Sequence, residues 1–226
     1  AEDGIRDYKV TGVQTCALPI CGTTGSANQN DTWEWNGSTW TAVPTAHAPS
    51  VRQRFGLIQD LGRGRTVLFG GSAGTTRFND AWEYDGSDWT QVAAATAPVV
   101  RDRVAFAYDA QRACSVLCGG RGPTNAVNLA DTWTFDGSVW TLRANPQQPA
   151  LRTDLGLASE ALGGTLLFGG QGASAVLGDT WRFDGAAWRL RTPTTTPTAR
   201  RGHAMVLDST RARIDRKSTR LNSSHL

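Results

Sequence analysis

The chain has 226 residues, 39% of them hydrophobic and 19% charged, with a formal net charge of +3. The first twenty residues contribute −1 and the last twelve +2, so the remainder carries only +2, too little to draw in a nucleic acid or another polyanion. No run of about eighteen apolar residues occurs, which excludes a membrane-spanning helix.

In chain order, the two ends stand apart from the middle. Both lysines, Lys9 and Lys217, lie in them, and between Cys21 and Ile214 there is none although arginine is frequent. A Lys-free stretch rich in Arg, Ala, Thr and Gly suggests GC-rich coding DNA, a bacterial source and a secreted protein. The run DRKSTRLNSSH from Asp215 resembles the conceptual translation of a sequencing adapter. The opening AEDGIRD and VTGVQTCALPI resemble the opposite adapter, with Tyr8-Lys9 between them where an index would sit. The first twenty residues also lack the apolar run of 7–15 residues that a signal peptide needs. Residues 1–20 and 215–226 are therefore expected to be non-native, and residues 21–214 to be a piece of a longer protein.

The middle is a repeat. Asp-x-Trp occurs at Asp31/Trp33, Asp80/Trp82, Asp131/Trp133 and Asp179/Trp181, in steps of 49, 51 and 48. A second tryptophan follows at Trp40, Trp89, Trp140 and Trp188, and a Pro-x-x-Arg at Pro49/Arg52, Pro98/Arg101, Pro149/Arg152 and Pro197/Arg200, all with the same three steps. Landmarks that share unequal steps mark tandem units of one architecture.

Each unit divides into four strand-like pieces. The first pieces are residues 55–59, 104–108, 155–159 and 203–207. The second end in a double glycine: Gly70-Gly71, Gly119-Gly120 and Gly169-Gly170, with Cys21-Gly22 in the first copy. The third start at Asp-x-Trp and alternate with period two, with aromatics Trp33/Trp35, Trp82/Tyr84, Trp133/Phe135 and Trp181/Phe183 on one face. The fourth start at the second tryptophan. Between third and fourth lie Asn36-Gly37, Asp85-Gly86, Asp136-Gly137 and Asp184-Gly185, which accept positive φ cheaply and mark hairpins. No piece has a helical period. The expectation is an all-β protein of four-stranded antiparallel units, each one blade of a β-propeller.

The order Gly-Gly, Asp-x-Trp-x-aromatic-Asp-Gly, second Trp is similar to the kelch repeat over residues 21–214. Two departures are Cys21 in the first Gly-Gly and Leu117-Cys118 where an aromatic is usual. The resemblance implies a partial kelch propeller. Whole blades are expected at about 50–98, 99–149 and 150–197, and partial blades at 21–49 and 198–214. The remaining blades of the six or seven usual in the family lie outside this sequence. Such an open arc leaves two sheet edges unpaired, an aggregation hazard.

Spacing separates scaffold from loop. Asp-x-Trp to Pro is 18 residues in every copy, whereas Gly120 to Asp131 is 11 against 9 elsewhere. Length changes mark where ligands are met. The tryptophans read as core that packs blade on blade, rather than as sugar-stacking platforms, because every copy has them. The repeated arginines read as bonding carbonyls or a neighbouring Asp between blades. Cys118 takes the position of Phe69 and Phe168 and reads as a filler of an apolar slot. Second-to-third loops and inter-blade loops open on one face of a blade, which makes Asn28, Gln29, Arg77, Phe78, Arg121, Asn125, Asn128 and Gln171 the candidate recognition residues.

Catalytic patterns are thin. Outside the ends the only histidines are His47, in a loop, and His203, at the first-strand place of Phe55 and Val104. Gly62-x-Gly64 lies between two strands and reads as a turn, not a phosphate loop. Asn36-Gly37-Ser38 and Asn30-Asp31-Thr32 fit the glycosylation pattern only because they coincide with repeat landmarks. Galactose oxidase-like kelch enzymes need two His, two Tyr and a Tyr-linked Cys. Here Tyr84 and Tyr108 are repeat positions and the histidines too few. The leading expectation is a non-catalytic platform that binds a protein or a glycan without a cofactor or metal. The alternative is part of a copper radical oxidase or a sialic-acid epimerase-like enzyme whose site lies in other blades.

Overall fold

The structure, a computed structural model, describes residues 16–19, 22–23, 27–124 and 127–218. It is all-β and antiparallel throughout. Three modules are complete four-stranded sheets, each in sequence order from first to fourth strand. The second module has strands Gly56–Asp60, Arg65–Phe69, Ala81–Tyr84 and Trp89–Gln91. The third has Ala105–Asp109, Cys114–Cys118, Thr132–Phe135 and Trp140–Leu142. The fourth has Gly156–Ser159, Thr165–Gln171, Val176–Phe183 and Trp188–Arg191. The first module supplies Thr32–Trp35 and Trp40–Val43 with Cys16–Pro19 at the edge, and the fifth supplies His203–Asp208 and Arg213–Ser218. Among the described residues no helix is long and apolar enough to cross a membrane.

The hairpin between third and fourth strands is a four-residue loop rather than a two-residue primed turn. Only its glycine has positive φ, 99°, 99°, 106° and 94° in the four copies. The acid or amide before it supplies the rest. Asp136 Oδ1 accepts from the amides of Ser138 (2.9 Å) and Val139 (2.8 Å), and Asn36, Asp85 and Asp184 do the same. The loop sets a register in which each second tryptophan faces the aromatic of its own third strand, as Phe135 faces Trp140 at 4.6 Å.

The two tryptophans of a copy have different tasks. Trp82, Trp133 and Trp181 are half-buried and donate their indole N–H to the Asp two residues earlier, at 2.7, 2.7 and 2.6 Å. Trp89, Trp140 and Trp188 are fully buried against the preceding module. Trp89 donates to Thr32 Oγ1 at 3.0 Å and Trp188 to Thr132 Oγ1 at 2.8 Å, while Trp140, facing Ala81 at that position, packs on Phe69 at 4.7 Å. Trp40 departs from the core reading. It is 44% exposed, because no described module precedes it.

The landmark arginines Arg101, Arg152 and Arg200 join their modules to the one before. The Arg101 side chain, 0% exposed, forks onto both oxygens of Asp131 at 2.7 Å each and donates to the Gly119 carbonyl at 3.1 Å. Its backbone reaches backward, donating to the Phe78 carbonyl (3.0 Å) and accepting from the Gly71 amide (2.9 Å). Arg52 with Asp80 and Arg152 with Asp179 repeat the side-chain arrangement. The Gly-Gly pair is required here. Gly70 has φ 68°, and a Cβ on it would sit 2.7 Å from the Arg101 carbonyl.

The first strands of successive modules lie side by side, second against third, third against fourth, fourth against fifth. They approach closely because one equivalent position near the start of each is small: Gly56, Ala105, Gly156, Ala204. A Cβ on Gly56 would meet the Phe106 Cβ at 2.8 Å. Together these strands line one groove of about 450 Å³, with Leu57, Phe106, Leu157 and Met205 among its walls.

At the ends, segments expected to lie outside the repeat pair with sheet edges. Cys16–Pro19 aligns with Thr32–Trp35, and Arg213–Ser218 with His203–Asp208. An exposed edge offers unpaired N–H and C=O groups to whatever chain is tethered beside it. The second pairing puts Asp215, Arg216 and Lys217 where the other modules have Val67, Leu68 and Phe69, so the apolar pattern stops at Ile214.

Removing one member of a buried ion pair leaves the other uncompensated. Arg101→Ala is expected to lower the unfolding free energy by about 3–5 kcal/mol. Arg200→Ala, its sequence equivalent but half-buried and with its side chain bonded, among the described residues, to Thr198 alone, should change it by less than about 0.5 kcal/mol. Urea unfolding followed by tryptophan fluorescence measures both.

The junction also sets an acid limit. Burial pushes the carboxyls of Asp80, Asp131 and Asp179 upward, but the arginine fork and the indole outweigh it and hold each below the ordinary 3.8. Their stabilisation is complete above the unfolded value and is lost as pH falls through the depressed folded one. Unfolding free energy measured from about pH 5 to about pH 2 should fall steeply below about pH 4, with a shallower slope in Asp131→Asn.

Candidate binding rim

One end of the groove carries a polar rim. Its frame is a two-bond bridge in each complete module between the residue after the landmark Arg and the residue after Gly-Gly. Gln53 bridges Ser72 (2.9 and 2.8 Å), Asp102 bridges Arg121 (3.1 and 2.8 Å) and Thr153 bridges Gln171 (3.0 and 2.7 Å). These bridges bring inter-module segments and second-to-third loops to the same end, as the sequence reading expected.

The next residue along is held in the left-handed region: Arg54 (φ 59°), Arg103 (φ 55°), Asp154 (φ 53°), and Gly202 (φ 63°). For non-glycine residues this costs about 1 kcal/mol each. A ladder between modules offsets it. Arg103 N donates to Arg54 O (2.8 Å), Asp154 N to Arg103 O (3.3 Å) and Gly202 N to Asp154 O (2.8 Å). Four modules are thereby linked around the groove mouth through the main chain, with the Arg54 side chain exposed and those of Arg103 and Asp154 half-buried.

Asp102 organises the rim. Its side chain is fully buried, accepts from Ser72 Oγ at 3.0 Å and takes the Arg121 fork at 3.0 and 2.6 Å. Arg77 joins it at 3.3 Å and donates to the Pro123 carbonyl at 3.0 Å. Burial pushes the Asp102 carboxyl up, but the Arg121 and Ser72 hydrogen bonds and the two positive charges outweigh it and hold it below the usual range. Further round, Arg103 pairs with Asp154 at 2.9 Å and Arg201 donates to Gln171 Oε1 at 2.7 Å. With Arg54 exposed beside them, five arginines face two aspartates, and the rim is electropositive.

The candidates chosen from the sequence divide by fate. Arg77 and Arg121 do come together, but on Asp102, and the Arg77 side chain is only 6% exposed. The Phe78 ring lies 4.1 Å from the Arg52 guanidinium and covers it. Asn128 Nδ2 donates to the Gln171 carbonyl at 3.4 Å, so these two extend the rim. Asn28 and Gln29 form a short ribbon with Gly22–Thr23, at the register positions of Arg77 and Phe78. Asn125 lies outside the described residues.

Asp102, Arg54, Arg103, Asp154 and Arg201 were missed. A signal for them exists. The two residues after the landmark Arg read Gln-Arg, Asp-Arg, Thr-Asp and Arg-Gly, changing charge from copy to copy inside a stretch of constant length. Other ionisable groups sit apart from the rim. His47 pairs with Asp88 of the next module at 2.7 Å, drawing that carboxyl down to about 2. His203 is 7% exposed, edge-on to Phe168. Cys118 is a buried thiol pushed up to about 11 by burial, in the apolar slot expected for it.

In comparison with known proteins, the chain matches no protein-family model and no curated sequence.

Proposed function

We propose that this chain is part of a kelch-like β-propeller and works as a non-catalytic platform whose rim binds a protein or a glycan. The observation that carries the reading is the convergence of loop and inter-module residues of three modules on one electropositive rim over a groove lined by every inner strand. Adjacent inner strands, a second tryptophan packed on the preceding sheet and a ladder that steps from module to module are what a propeller requires. A kelch repeat adds the double glycine and the two spaced aromatics.

Binding is favoured over chemistry by how the charges are held. Asp102 is buried and shared by two guanidiniums and a hydroxyl, an arrangement that fixes loops rather than moves protons. Arg54 and Arg201, at the outer positions, remain exposed to receive carboxylates or hydroxyls of a ligand. The second-to-third loops differ in length and sequence while the frame beneath them does not, as expected where one scaffold presents a variable surface.

The test is a screen of the immobilised chain against oligosaccharide and peptide arrays, followed by substitution. Arg54→Ala with Arg201→Ala should weaken capture of any ligand found by roughly tenfold or more. Gln111→Ala, at the opposite end of the groove, should leave it unchanged. A ligand indifferent to the rim pair and sensitive to Gln111 overturns the assignment.

A further inference from the structure

The boundaries between complete modules differ in how their arginines are met. Where the second module packs on the third, Arg63 pairs with two carboxylates, Asp60 at 2.8 Å and Glu83 at 2.7 Å. It lies across the third module's hairpin, so close that a Cβ on Gly137 would strike it. Arg65 pairs with Asp85 at 3.3 Å. Val92, just past the fourth strand, packs on the core between the two sheets.

The next boundary, third on fourth, keeps this frame and changes its residues. Arg112 stands at the place of Arg63, pairs with Asp109 at 2.7 Å and lies across Gly185 in the same way. The strand register puts Thr134 at the place of Glu83, Cys114 at that of Arg65 and Arg143 at that of Val92. The boundary thus keeps its pair of guanidiniums and loses the Glu83 carboxylate. Among these side chains lies a cleft of about 230 Å³, with Thr141 and Asp136 also in its walls and Gly185 on its far side. Both sheets that bound it have all four strands.

Arg143 is half-buried there. Its Nε donates to the Thr134 hydroxyl at 2.9 Å, and among the described residues no carboxylate pairs with it. A cation drawn into a cleft loses hydration that only a counter-charge makes good. The neighbouring acids are engaged: Asp109 is buried under Arg112 and the Gly164 amide, and Asp136 Oδ1 caps Ser138 and Val139. Burial and the Asp109 charge push the Cys114 thiol upward, so it stays neutral.

We infer that this cleft binds a small carboxylate, held by Arg143 and Arg112 where the second module holds the carboxylate of its own Glu83. A guanidinium offers a carboxylate two parallel donors, and the Thr134 hydroxyl, accepting from Arg143, keeps its hydrogen to donate. The space is below the roughly 300 Å³ of a drug-sized pocket, which suits an acid of a few carbons. The site lies at the end of the modules opposite the rim and does not rest on the ligand reading of the rim.

NMR of the 226-residue protein titrated with sodium acetate, against sodium chloride at matched ionic strength, tests this at the Arg143 Nε–H and the Thr134 methyl. Acetate should give saturable shifts with a Kd of about 10 mM, and chloride none. Arg143→Ala, followed at Thr134, should weaken binding at least about tenfold. Thr134→Glu, which installs the second module's residue, should abolish binding and make the unfolding temperature independent of acetate, with circular dichroism unchanged. Shifts that fail to saturate or that chloride reproduces, tighter binding of sulfate than of acetate, or either variant binding acetate like the parent would each overturn the assignment.

Discussion

A guanidinium out of reach of water dictates how this chain is built. Placing a positive charge at zero exposure is tolerable only if its donors are met and its charge is neutralised. Arg52, Arg101 and Arg152 satisfy this in one way: Nε to the carbonyl two residues before, Nη1 to a glycine carbonyl, and the fork to an aspartate that also holds an indole. Lysine has no planar fork and could not make this set, in keeping with the absence of Lys from the repeat. The glycines, the Asp-x-Trp and the Pro-x-x-Arg are thus parts of one device, which is why their spacings vary together.

That device is directional. The side chains of Arg52, Arg101 and Arg152 serve their own modules, while the main chains of Arg101, Arg152 and Arg200 serve the module before. The second tryptophan adds a contact in the same sense, from each module back onto the preceding sheet. Modules in such a series are neighbours by construction, and stability is shared between each module and the next. Buried ion pairs are weak contributors to net stability but strong specifiers of register. Here they fix each arginine within its own module, so that its main chain is held in place to bond the module before.

Much of the architecture was legible because its causes are local. Period-two alternation, Gly-Gly and Asp-Gly are short-range signals, and the twelve strands of the three complete modules fall within a residue or two of where they were expected, except that Val176–Phe183 begins three residues before Asp179. The hairpin chemistry was read only in part: glycine takes the positive φ, but the neighbouring carboxylate caps two amides and makes the loop four residues long. The arginines were expected to bond carbonyls or an Asp between modules. They bond both, yet the aspartate belongs to the arginine's own module, and the link between modules is main chain. The rim was harder to read. Arg77 and Phe78 look like exposed loop residues, but they are spent on Asp102 and Arg52, partners more than twenty residues away. Contacts at that separation leave no mark in a local pattern. The left-handed conformation of Arg54, Arg103 and Asp154 also runs against residue preference, because the ladder imposes it.

The central claim is that the arginine junction, and not generic burial, holds module to module. Amide hydrogen exchange tests it most directly, at Gly71, Gly120 and Gly170, whose N–H groups donate to the carbonyls of Arg101, Arg152 and Arg200. These amides should exchange as slowly as the second-strand amides of Val67 and Val116, and Arg101→Lys should speed Gly71 while leaving Gly170 slow. Exchange at loop rates in the parent, or a uniform acceleration of all three in the variant, would contradict the account.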